Sequence, residues 1–137
     1  MSIPFVREIE FDYGAPQQVS PLIRRVIAPN PGPFTYTGTG VYIIGRGEVA
    51  VIDPGPQIPA HFEALNQALG GERVSHVLVT HSHADHSPLA HALAERHGAK
   101  VYAGGPVVAT ECEVRLEAGD DRHFAPDVIV VDGQIFE

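Results

Sequence analysis

Short runs in which almost every residue is apolar alternate along this chain with stretches in which apolar residues recur every three or four positions. Leu22–Ala28, interrupted by Arg24-Arg25, reads as a strand. Thr39–Gly45 and Glu48–Asp53, rich in Val, Ile and Tyr, flank Arg46-Gly47 and predict a β-hairpin. The segment Pro29-Asn30-Pro31-Gly32-Pro33 forbids helix and regular sheet before it, and Pro54-Gly55-Pro56 stops it. A helix follows from Pro59 to Leu69: Pro59 suits the first turn, Ile58, Phe62, Leu65 and Leu69 share one face, and Gly70-Gly71 ends it. Val74–Thr80 is again strand-like. A second helix is expected from Pro88 to His97, with Ser87 as N-cap and Gly98 as the stop. Lys100–Ala103 and Val128–Val131 read as further strands, and Gly133-Gln134-Ile135-Phe136-Glu137 as the start of another. Residues 1–20, with Gly14 and Pro16, suit a surface arm. Strand and helix in alternation predict an α/β layer with helices over a sheet. Val41–Ile44, Val49–Ile52 and Val77–Val79 are apolar nearly throughout, as in strands buried on both sides.

Composition narrows the class. A length of 137 residues suits one domain, and 44% hydrophobic with 19% charged residues is a globular balance. The apolar runs are too short to span a bilayer, so no membrane association is expected. The opening Met1-Ser2-Ile3-Pro4-Phe5-Val6-Arg7-Glu8 lacks the basic and apolar regions of a signal peptide. The single cysteine, Cys112, has no intrachain disulfide partner, and it lies between Glu111 and Glu113 with no basic neighbour to activate it. A cytoplasmic setting is expected. The net charge of −8 with scattered Lys and Arg argues against gripping nucleic acid by charge, although a catalytic metal can hold a phosphate directly.

The chemistry lies in His81-Ser82-His83-Ala84-Asp85-His86, directly after Val77-Leu78-Val79-Thr80. Imidazole and carboxylate are ligands that Zn²⁺, Fe²⁺ and Mn²⁺ accept. Residues two apart in extended backbone project to one side, so His81 and His83 can chelate one ion. Asp85 and His86 are adjacent, and a turn into the following helix could aim both at a second ion. The alternative is accident in a chain with eight histidines; its own residue frequencies give that about one chance in a thousand. The position at the carboxyl end of a strand, where α/β proteins bind ligands, weighs the same way.

These residues resemble the HxHxDH signature of the metallo-β-lactamase-fold superfamily, and Val49-Ala50-Val51-Ile52-Asp53-Pro54-Gly55 resembles its strand and turn ending in Asp-x-Gly. The Pro-rich loop before Thr37-Gly38-Thr39-Gly40-Val41-Tyr42, and His86-Ser87-Pro88, are similar to the subgroup containing lactamase-β-like protein 2. The resemblance runs from about residue 20 to the end. It implies the amino-terminal half of an αββα sandwich: a mixed sheet with helices on one face, in one partial domain over residues 1–137. It also implies that His81 and His83 bind one metal and Asp85 and His86 a second, with Zn²⁺ the expected ion, two per complete site, and Fe²⁺ or Mn²⁺ as alternatives. Asp53 would support the ligand loop from behind; as a plain turn-former before Pro54-Gly55 it is equally well explained. Members of the family place a third histidine, a bridging aspartate and a last histidine in the second half, and His123 matches none of these.

The implied activity is hydrolysis of an ester, thioester, lactam or phosphodiester by a metal-bound hydroxide, with Asp85 as ligand and orienter of the nucleophile. The substrate would be a small molecule or RNA. An iron-dependent oxidoreductase like the sulfur dioxygenases, which share HxHxDH, is a rival. His83 disfavours a flavodiiron protein, which usually has Glu there. An inactive metal-binding or interaction module is another rival. The expected partner is the second half of the fold, or a second copy, on the uncovered sheet face. Elsewhere, His61 and His76 read as surface or hydrogen-bonded structural residues, His91 lies on the second helix, and His97 suits that helix's dipole. Asp120, Asp121 and His123 form either a minor ion site or, more simply, an acidic solvated loop.

Overall fold

Among the described residues, seven strands lie side by side in the order in which the chain makes them. The computed structural model describes residue 4 and residues 8–105 and 119–137, so Cys112 and its neighbours lie outside the described residues. The strands are β1 (Gln17–Ser20), β2 (Ile23–Ile27), β3 (Gly40–Arg46), β4 (Glu48–Ile52), β5 (Arg73–Val79), β6 (Lys100–Ala103) and β7 (Val128–Ile129). Helix α1 (Pro59–Leu69) connects β4 to β5, and α2 (Ala90–His97) connects β5 to β6. The first four strands pair antiparallel and the last four parallel, giving the expected mixed sheet.

Register explains the two faces. Ile43, Val51, Val77 and Val101 stand beside one another across four strands, all fully buried. Leu65 and Leu69 of α1 and Ala90, Leu93 and Ala94 of α2 join them in one core cluster, so both helices cover the same face. Each such leucine contributes about 1.5–3 kcal/mol of burial. The opposite face carries the row Tyr42, Ile52, Leu78, Tyr102 and Val128, all half-exposed. The ring of His76 lies 4.8 Å from Tyr102 on this face, and Phe136 packs 5.4 Å from both.

Helix α1 has the bounds expected of it, with Gly70 in the left-handed region taking bonds to the carbonyls of Asn66 and Gln67. Its buried face is His61, Leu65 and Leu69, while Phe62 is half-buried. Helix α2 differs. It starts at Ala90 with Leu89 as N-cap and no side-chain cap, because the Ser87 hydroxyl donates to Asp121 Oδ2 at 3.1 Å. The expected arm also ends early, since Gln17–Ser20 pairs with β2 as an edge strand. The run Val128–Val131 keeps only two strand residues because β6 ends at Ala103, and residues 133–137 form a turn and unpaired chain instead of a strand. No helix among the described residues is long and apolar enough to cross a membrane.

One glycine fixes the Pro-rich loop. Gly38 has φ 142°, and a Cβ there would stand 1.9 Å from the Ala28 carbonyl oxygen, so only glycine lets the loop return so close to the end of β2.

His61 provides a pH test of the fold. Its ring is buried, Nε2–H donates to the Pro54 carbonyl at 2.9 Å, and Nδ1 has no hydrogen-bond partner among the described residues. Burial holds its pKa below the ordinary 6.5 despite the Pro54 bond. A histidine depressed in the folded state contributes stability that is complete above 6.5 and is lost as pH falls through the folded value. Urea unfolding between pH 8 and 5 should therefore show a decline in stability on acidification that His61→Gln makes shallower; equal slopes in the two proteins would contradict this.

Candidate metal centre

Strands β4 and β5 are parallel neighbours, so their carboxyl ends deliver Asp53 and Thr80-His81 to the same edge of the sheet. Asp53 sits at φ 51°, a left-handed conformation that Asp tolerates better than most residues. This backbone turn aims its carboxylate across the gap: Thr80 N–H donates to Oδ1 at 2.8 Å and the Thr80 hydroxyl to Oδ2 at 2.7 Å. His86 Nδ1–H donates to Oδ2 at 3.0 Å. Asp53 is thus both a turn residue and a three-bonded acceptor. Burial alone would raise its pKa, but the bonds from His86 and Thr80 outweigh burial and hold it below the ordinary carboxylate value.

These bonds fix a proton on Nδ1 of two histidines. The single hydroxyl hydrogen of Thr80 goes to Asp53, so Thr80 Oγ1 accepts from His81 Nδ1–H at 2.9 Å. His81 therefore presents Nε2 as its lone-pair nitrogen, while His86 turns Nδ1–H to Asp53 and Nε2 to the Asp85 carboxylate. The hydrogen bond to Asp53 is also the main cause of the raised pKa of His86. His81 is shifted down, by burial first and then by His86 and His83 beside it.

The structure brings the imidazoles of the motif together. The His81 ring lies 4.5 Å from that of His83 and 4.2 Å from that of His86. Asp85 Oδ2 is 3.2 Å from His86 Nε2, and Thr39 Oγ1 donates to the same oxygen at 3.5 Å. Thr39 is buried and doubly bonded to the Asn30 side chain, so the Pro-rich loop braces Asp85. Among the described residues no three His, Cys, Asp or Glu side chains stand in metal-holding geometry. Two ring nitrogens of the motif face carboxylates, His86 Nε2 toward Asp85 and His83 Nε2 toward Asp120 at 3.5 Å. The donor chemistry nevertheless fits a borderline divalent cation: three imidazoles, one with a fixed lone pair, and a carboxylate.

Gly55 ties the turn to the ligand loop. Its N–H donates to the His86 carbonyl at 3.0 Å, and a Cβ at its φ of 100° would meet His61 Nε2 at 3.0 Å. A cavity of about 460 Å³ opens above the loop, between His81–His86 and a wall that includes Asn30, Pro33, Phe34 and Pro56. No Lys or Arg is among its described lining residues.

The remaining histidines stand apart. His76 is on the open sheet face, and His91 Nε2–H donates to the Ala125 carbonyl at 2.7 Å. His97 bonds the Asn66 side chain of α1 at 2.8 Å, and burial, with Arg96 beside it, lowers its pKa. Asp120 and Asp121 are not simply solvated: they reach His83 and Ser87. Thr80, Thr39 and Asn30 escape the sequence reading. Only the position of Thr80 immediately before the motif could have flagged any of them.

Residues 36–133 match the family model described as the metallo-beta-lactamase superfamily. The chain is 45% identical over 74 residues to the atrochrysone carboxyl ACP thioesterase dmxR1 of a Cryptosporiopsis species, covering 52% of this chain and 23% of that protein. It is 39% identical over 89 residues to the lactamase-like protein ptaB of Pestalotiopsis fici, covering 63% of this chain and 26% of that protein. The chain thus spans about a quarter of the length of these relatives. A crystal structure of a beta-lactamase domain protein from Burkholderia ambifaria is similar in fold, with a TM-score of 0.52 and 24% identity over 66% of this chain and 30% of that one.

Proposed function

The chain belongs to the metallo-β-lactamase superfamily, and from that membership we propose that it is the amino-terminal part of a metal-dependent hydrolase acting on an acyl thioester. The observation that carries the proposal is the packed trio His81, His83 and His86 beside Asp85, with His86 oriented by Asp53, on the wall of a cavity. His81, His83, Asp85 and His86 would hold the metal, with zinc as the expected ion. Bound there, it would supply Lewis acidity and a water of lowered pKa.

The chain's own residues supply the rest. Asp53 orients His86 directly and His81 through Thr80. Asp85, steadied by Thr39, serves as ligand and as acceptor for a proton of the attacking water. Pro33, Phe34 and Pro56 offer an apolar wall for an acyl group. The absence of Lys and Arg among the described lining residues favours a thioester over an RNA backbone, which draws its affinity from such cations. The thioesterase name of several relatives supports the same choice.

The half-exposed face of Tyr42, Ile52, Leu78 and Tyr102 is, on this reading, the seat of a second αβ half that brings further ligands. With zinc supplied, the 137-residue chain alone should release negligible thiol from an acyl thioester. A chain extended through a second half should release it in a chelator-sensitive way, faster than it cleaves RNA or a β-lactam. Chelator-sensitive turnover by the short chain, or an extended chain that prefers RNA, would refute the proposal.

A further inference from the structure

The segment 119–125 lies against the loop His81–Ser87 through both backbone and side chains. Asp121 N–H donates to the Ser82 carbonyl at 2.7 Å and Ala84 N–H to the Gly119 carbonyl at 3.1 Å, flanking an antiparallel bridge between His83 and Asp120. The side chains repeat the pattern. Asp120 Oδ1 lies 3.5 Å from His83 Nε2, and Asp121 Oδ2 accepts from the Ser87 hydroxyl at 3.1 Å. The far end is anchored to the body of the fold, with Phe124 packed against the core and the Ala125 carbonyl held by His91 of α2. Asp53 reaches His86, and through Thr80 also His81, but no bond from it to His83 is among those described.

We propose that Asp120 is the positioning residue for His83, and that Asp121 and the backbone bridge hold it there. A carboxylate on one ring nitrogen fixes the imidazole's tautomer and rotation, and loss of such a partner costs a metal site about 10- to 100-fold in affinity. The proposal rests on His83 being a ligand for its consequence, but the contact itself is measurable without metal.

The test therefore has two readouts on the 137-residue chain. At pH 8 the ring ¹⁵N shifts of His83 report which nitrogen carries the proton. Asp120→Ala should move His83 from a single tautomer with the proton on Nε2 toward a mixture, while His81 and His86 keep their shifts; Asp120→Glu should restore the wild-type pattern. Zinc affinity, measured by competition with a chromophoric chelator, should fall about 10- to 100-fold in Asp120→Ala and stay unchanged in Asp132→Ala, which removes an exposed carboxylate. Unaltered His83 ring shifts in Asp120→Ala would overturn the proposal, whatever the zinc result. A wild-type chain that binds no zinc but shows the shift change would instead overturn the metal reading and leave the positioning role standing.

Discussion

Replacing His81 or His83 with alanine should strip the chain of most of its zinc, while His97→Ala should leave zinc content unchanged. His81 and His83 lie ring against ring in the ligand loop, whereas His97 sits at the end of α2 against Asn66. His81 also enters with its tautomer fixed through Thr80, so its lone pair is already the one a cation needs. With only four donors in the loop, the loss of one should cost more than about 100-fold in affinity, the upper end of what loss of an outer partner costs. Metal analysis after dialysis against a weak chelator measures this directly. Equal zinc in the three variants and the wild type would remove the site from this loop.

The second large effect is expected at Asp53, and it concerns stability as well as metal. The carboxylate is 7% exposed and accepts from Thr80 N–H, the Thr80 hydroxyl and His86 Nδ1–H. Asp53→Ala leaves these donors without their acceptor and puts alanine at φ 51°. Breaking a buried charged pair typically costs about 3–5 kcal/mol, and an uncompensated left-handed residue adds to that. Asp53→Asn should be milder, because asparagine tolerates the left-handed backbone and keeps one acceptor oxygen. Urea unfolding should rank wild type above Asp53→Asn and Asp53→Asn above Asp53→Ala. A decrease below about 1 kcal/mol in the alanine variant would mean that the network is not a support of the fold.

The contrast between α1 and α2 shows what a sequence makes legible. Pro59 and Gly70 mark the ends of α1 chemically, one fitting a first turn and the other a left-handed cap, and neither signal depends on anything distant. Ser87 carries the same kind of local signal for α2, yet its hydroxyl is taken by Asp121, which is 34 residues away. Strand β1 is polar on an exposed edge and is defined only by its pairing with β2, so no periodicity announces it. The ligand loop is legible because its four side chains fall within six residues. Its braces are harder to read. Asp53, which reaches His86 across 33 residues, is legible only through the family resemblance, and Thr39, which reaches Asp85 across 46, is not legible at all, because each contact exists only once the sheet has formed.

The strand order described above also bears on how the chain reaches this structure. Because each strand pairs with the one made just before it, the sheet can grow at one edge as the chain emerges during synthesis. The hairpin of β3 and β4, closed around Gly47, pairs residues only a few positions apart and is the cheapest place to begin. Each later strand then closes only the loop of its own connecting helix or segment. Such nearest-neighbour closure spares the sheet the larger loops that a strand inserted between earlier ones would have to close. The ligand loop, held between the turn after β4 and the segment before β7, becomes fully braced only when the last of these pieces has docked.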